Sequence, residues 1–117
     1  MTIRRIAEEE RLSGAVMGGG LVWLAGQVAD DPSADAEGQT ADILAQIDAL
    51  LAEAGTDKRA LLSCTVVLAD IRDAPAMNRA WDAWLDRAHK PARMTIEAPL
   101  VDPRWKVEIT GVALAPR

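Results

Sequence analysis

The chain has 117 residues, half of them apolar and 26% charged, with 13 Lys and Arg against 18 Asp and Glu for a net charge of -5. That length makes one domain over residues 1–117, large enough for a core. The negative balance disfavours nucleic acid and anionic membrane surfaces as partners. Four Trp with no Phe or Tyr are too few aromatics for a platform that stacks single-stranded bases, and one cysteine leaves neither an internal disulfide nor a cysteine-rich metal site.

The start, Met1-Thr2-Ile3-Arg4-Arg5 followed by Glu8-Glu9-Glu10, is too charged for the apolar core of a secretory leader, and a cytoplasmic location is expected. The uncharged run from Leu12 to Ala29 holds Gly18-Gly19-Gly20, which reads as a turn between strands rather than as part of a membrane span. The triplet lacks the following Lys and Ser/Thr of a phosphate loop. Leu21 to Ala25 is a continuous apolar run ending at Gly26, the pattern of a strand buried on both faces. A polar loop over Asp30–Asp35 follows. From about Thr40 to Ala54, Ile43, Ile47, Leu50, Leu51 and Ala54 fall at helical spacing, and Gly55 supplies a left-handed cap.

Leu61 to Ala69 is apolar and rich in β-branched residues, which predicts a central strand with Cys64 as a buried, inert thiol. Asp73 is a candidate N-cap, with Pro75 tolerated in the first turn. The helix it opens sets Met77, Trp81, Trp84 and Leu85 on one core-packing stripe. Lys90-Pro91 ends that segment, and strands near Arg93–Glu97 and Trp105–Ala115 close the chain. The order is β, β, α, β, α, β, β. Right-handed crossovers then place both helices on one face of a single mixed sheet. The opposite face offers Val67, Ala69, Val112 and Leu114 with no element of the chain to cover it, so an oligomer is expected.

Two charged strand residues stand out. Arg93 follows Pro91-Ala92, and its planar fork suits bidentate binding of a carboxylate. The plain alternative is an ion pair with Glu97 on the same strand face. Glu108 sits between Val107 and Ile109, sharing a face with Lys106 and Thr110; a carboxyl in a half-dry cleft exchanges protons near neutral pH. Its plain alternative is a solvated face beside Lys106. Asn78 flanks the tryptophan stripe, where it either donates into a cleft or lies exposed. His89 is the only histidine, a loop residue that cannot build a zinc site or a Ser-His-Asp relay from these residues.

In order and spacing, Leu24-Ala25-Gly26-Gln27, the helix from Gln39-Thr40 to Ala54-Gly55, Thr65-Val66-Val67-Leu68-Ala69-Asp70, Met77-Asn78, Pro91-Ala92-Arg93 and Val107-Glu108-Ile109 resemble the YjgF/RidA family over nearly the whole chain. Met1-Thr2-Ile3, Leu44–Ala49, Ala80-Trp81-Asp82-Ala83-Trp84 and Lys106–Ile109 look closest to its YoaB-like branch. The resemblance implies a chorismate-mutase-like α+β fold, a homotrimer with ligand clefts between subunits, and hydrolysis of reactive enamines and imines such as 2-aminoacrylate. By position it implies that Arg93 binds the substrate carboxylate with help from the Gly26 N–H. Glu108 would activate water or shuttle the proton, the segment around Thr95 would position that water, and Asn78 would line the pocket. No metal or cofactor is implied. The chain departs from the family pattern at Leu12, where the best-characterised deaminases have tyrosine, and at Ala25, Thr95 and Thr110. The rival from another class is a non-catalytic trimer that binds small carboxylates such as 2-oxo acids; a third is a purely protein-binding or chaperone-like trimer, needing neither Arg93 nor Glu108.

Overall fold

In the computed structural model, which describes residues 2–117, six strands form one sheet. Met1 of the Met1-Thr2-Ile3 motif therefore lies outside the described residues. In chain order the elements are β1 (Arg4–Glu8), β2 (Ser13–Gly18), β3 (Leu21–Gln27), α1 (Ala36–Glu53), β4 (Leu61–Leu68), α2 (Ala74–Trp84), β5 (Ala92–Glu97) and β6 (Val107–Leu114), with single 3-10 turns before β4 and α2. The sheet runs β1-β2-β3-β6-β4-β5. Only β4 and β5 are parallel neighbours; the other pairs are antiparallel.

Both helices cover the same face. Ile43, Leu44, Ile47 and Leu51 of α1 and Met77 and Trp81 of α2 pack with Val22, Leu24, Val66, Leu68, Val107 and Ile109. The thin dimension of 20 Å is what one sheet under one helical layer requires. No helix is long and apolar enough to cross a membrane, among the described residues. The mixed sheet with two helices on one face is thus as expected.

Four details differ from the sequence reading. A strand precedes the expected first one: β1 is an edge strand burying only Ile6, too charged to show an apolar pattern. Within the chain β3 is not buried on both faces, for Val22 and Leu24 face the helices while Trp23 is 50% exposed. Helix α1 begins a turn earlier than Thr40, because the Asp35 carboxylate accepts from the Gly38 N–H at 2.8 Å. Asp73 occupies the N-cap position of α2 without a side-chain bond, since its backbone (φ -81°, ψ 0°) already turns with the preceding 3-10 segment, which Asp70 caps instead. Gly55 (φ 85°), Gly19 (φ 61°) and Gly20 (φ 80°) turn as expected.

Candidate active site

Strand β6 alternates strictly. Val107, Ile109 and Ala113 are buried under the helices, whereas Glu108, Thr110, Val112 and Leu114 lie on the other face. The Thr110 hydroxyl donates to the Leu24 carbonyl at 2.6 Å, beside an irregularity in β3 between Leu24 and Gln27. That irregularity brings the Gly26 backbone directly under the Glu108 carboxylate. A Cβ on residue 26 would stand 2.9 Å from Glu108 Cδ and closer still to Oε2, so any other residue here would push the carboxylate aside. The two residues open onto a cleft of about 760 Å³ whose walls include Leu12, Gln27, Val101 and Trp105.

The entry of β6 is held by a residue that the sequence reading used only as a helix boundary. Gln39 is fully buried; its amide NH2 donates to Pro32, Ala34 and Arg104 carbonyls, and its oxygen accepts from the Lys106 N–H at 2.8 Å. The signal was present in principle, as a polar residue on the apolar side of α1. Lys106, expected beside Glu108, instead reaches the Ala34 carbonyl at 3.2 Å. Lys106 makes no ion pair with Glu108 among the described residues.

Arg93 lies elsewhere. Strand β5 pairs in register with β4, Cys64 with Arg93, Val66 with Thr95 and Leu68 with Glu97. Cys64, Val66 and Leu68 face the helices, so Arg93, Thr95 and Glu97 do too, at the open edge of the sheet. The guanidinium sits over the Trp81 ring, 5.0 Å from its centroid, and Nη1 reaches Met77 Sδ at 3.6 Å. The expected pairing with Glu97 does not form, because Glu97 accepts from the Ile71 N–H at 2.8 Å. Among the described residues no carboxylate makes an ion pair with Arg93. Asn78, half-buried on α2, directly follows Met77. Cys64 is buried as expected, and burial pushes its thiol up to about 11 against a weaker opposing pull from Arg93.

The predicted residues thus fall into two groups. Gly26 and Glu108 share one cleft; Arg93 and Thr95 lie on the helix-facing side of β5, where Arg93 meets Met77 and Trp81 of α2, and Asn78 follows Met77 on that helix. Glu108 is level with Val67 and Val67 with Ile96, so β4 separates Glu108 from Arg93 and three residues offset them. That is roughly 10 Å in each direction, with the side chains on opposite faces of the sheet. One chain does not bring the groups together. His89 lies in the loop after α2, 3.1 Å from Asp86 and apart from both.

A two-layer sheet-and-helix domain that divides its candidate catalytic residues between two faces is the class of protein defined so far. Residues 2–115 match the family described as Endoribonuclease L-PSP. The chain is 47% identical to the RutC family protein YoaB of Escherichia coli over 113 residues, 97% of this chain and 98% of that one. It is 43% identical to a RutC family protein of Haemophilus influenzae, covering 97% and 98%. The crystal structure of NMB1025, a YjgF-family member from Neisseria meningitidis, superposes with a TM-score of 0.96 at 43% identity, covering 100% of this chain and 98% of that one. The chain belongs to this YjgF/RidA family.

Proposed function

We propose that the protein hydrolyses reactive 2-enamine and 2-imine intermediates, such as 2-aminoacrylate, to 2-oxo acids and ammonia, in clefts between the subunits of a homotrimer. The observation that carries this reading is the split itself. A carboxylate poised over the Gly26 backbone and an arginine with no ion-pair partner among the described residues lie on opposite faces of one sheet, so an active site that uses both would take Glu108 from a second copy.

In such a cleft Arg93 clamps the substrate carboxylate and the Gly26 N–H assists. The enamine takes a proton at carbon and gives one up from nitrogen, a tautomerisation to the imine, which is already electrophilic. Glu108 accepts a proton from water as its oxygen attacks C2, and passes a proton to the nitrogen of the tetrahedral adduct. The C–N bond breaks, ammonia leaves and the 2-oxo acid forms, one water being consumed. Thr95, two residues along β5, and Asn78, next to Met77 on α2, would orient the bound acid. Imines hydrolyse unaided in water, so orientation and proton transfer suffice and no metal or cofactor enters the reaction as written. The net charge of -5 speaks against RNA as substrate.

A second reading, a trimer that binds 2-oxo acids without turnover, is favoured by one observation. Thr110, which stands where the family has a second acid, spends its hydroxyl on the Leu24 carbonyl and offers the cleft no proton carrier. The test generates imines in situ with an amino-acid oxidase and follows the loss of semicarbazide trapping. Arg93→Ala is expected to lose both turnover and 2-oxo acid binding, at a cost of about 2–5 kcal/mol. Glu108→Gln is expected to bind but to turn over about 10²–10⁴-fold more slowly. Unfolding and refolding the two variants together should restore activity, because some mixed clefts then combine Arg93 of one chain with Glu108 of another. Wild type that binds 2-oxo acids yet leaves trapping unchanged supports the binder. Activity that does not return on mixing places the two residues in different clefts.

A further inference from the structure

Arg93 raises a question that its role as an anion clamp leaves open: what holds a long, flexible cation on an edge strand without neutralising it? A carboxylate neighbour would fix the side chain but occupy its donors. The structure contains a different arrangement. Trp81, only 5% exposed, presents its ring face to the guanidinium at 5.0 Å from the centroid. Met77, wholly buried one turn earlier on α2, offers its thioether sulfur to Nη1 at 3.6 Å. Both neighbours are uncharged. The nearby groups that could carry negative charge are withdrawn: Glu97 is engaged by the Ile71 N–H, and Cys64, level with Arg93 on β4, is a buried thiol that burial keeps protonated.

We propose that Trp81, with Met77 beside it, is a positioning residue for the reaction: its ring is a neutral platform that fixes the Arg93 guanidinium while leaving its charge for the substrate carboxylate. This rests on the reading of Arg93 as the clamp. Tryptophan is the strongest aromatic partner for a cation, and a guanidinium lying over a ring keeps donors at its rim for bidentate pairing. A thioether is a weak acceptor, so Met77 restrains one nitrogen without competing with a carboxylate. The tilted Trp84 ring, 5.5 Å from Trp81, braces the platform from within the helix.

The experiment measures 2-oxo acid affinity by calorimetry, and kcat and KM in the trapping assay, for Trp81→Leu and Trp81→Phe, with Tm recorded for each. Removing the ring face is expected to weaken 2-oxo acid binding and raise KM roughly tenfold, with kcat little changed, whereas Trp81→Phe loses about threefold. A merely structural tryptophan would lower Tm without moving affinity. If Trp81→Leu does not fold, Trp81→Phe carries the test, and affinity equal to wild type overturns the proposal. A folded Trp81→Leu that binds as wild type overturns it equally. Wild type that binds no 2-oxo acid overturns the clamp itself, and the platform with it; this differs from the case where wild type binds and Trp81→Leu is unchanged.

Discussion

The Glu108 carboxylate rests on the backbone of Gly26, so closely that the hydrogen on the Gly26 Cα stands where any other residue would place a carbon. The contact joins the middle of β6 to the irregular end of β3. It sets the carboxylate against a strand's backbone rather than against a cation.

Gly26→Ala tests that contact. The added methyl must push the carboxylate aside, since the alternative is to move two hydrogen-bonded strands. The variant is expected to remain folded and bind 2-oxo acids while losing most of its turnover. Adding Glu108→Ala should recover the stability lost to the clash but not the activity. A double-mutant cycle in Tm reads the interaction directly, and strictly additive effects would remove the steric account.

The uncovered sheet face gives a second expectation. Trp23, Leu114 and, on β5, Met94 (56% exposed) and Ile96 crowd it with apolar surface. Val67 and Val112 are half-buried there as expected, whereas Ala69 falls just beyond β4. Placing a carboxylate in that face, as Trp23→Glu, would bury an unpaired charge in any assembly that covers it, at a cost of several kcal/mol. Sedimentation of wild type should give about three times the 12.6 kDa chain mass, and of Trp23→Glu the single-chain value. Unchanged assembly would show that the trimer forms through another surface.

Cys64 supplies a pH signature. Its folded-state value, about 11, lies above the ordinary value of 9.0 because burial disfavours the thiolate. A thiol whose value is raised on folding contributes stability that is complete below the unfolded value and is lost as pH rises from there toward the folded one. Tm should therefore fall more steeply between pH 9 and 11 for wild type than for Cys64→Val. At pH 8 a thiol-labelling reagent should leave the folded protein unmodified and react once it is denatured. Rapid labelling of the native protein would mean that the β4–β5 edge opens readily.

Much of this architecture was legible in the residues alone. The stripe Ile43, Ile47, Leu50 and Leu51, the stop at Gly55 and the triple-glycine turn are local signals, set by helical period and backbone freedom within a few residues of chain. The alternation that isolates Glu108 between Val107 and Ile109 is equally local. Beyond periodicity, the motif order from Leu24-Ala25-Gly26-Gln27 to Val107-Glu108-Ile109 was enough to indicate the family. What alternation cannot specify is which side of a sheet a given strand residue faces, because that depends on the neighbour it pairs with. The register of β5 on β4 turns Arg93 toward Trp81 and Met77, and the pairing of β6 between β3 and β4 turns Glu108 away from them. Sequence marked both residues; only tertiary pairing placed them on opposite faces of the sheet. The edge strand around Ile6, the exposed ring of Trp23 and the four hydrogen bonds of Gln39 escaped for the same reason. Their burial or exposure is decided by segments distant in the chain, and no pattern among adjacent residues records it.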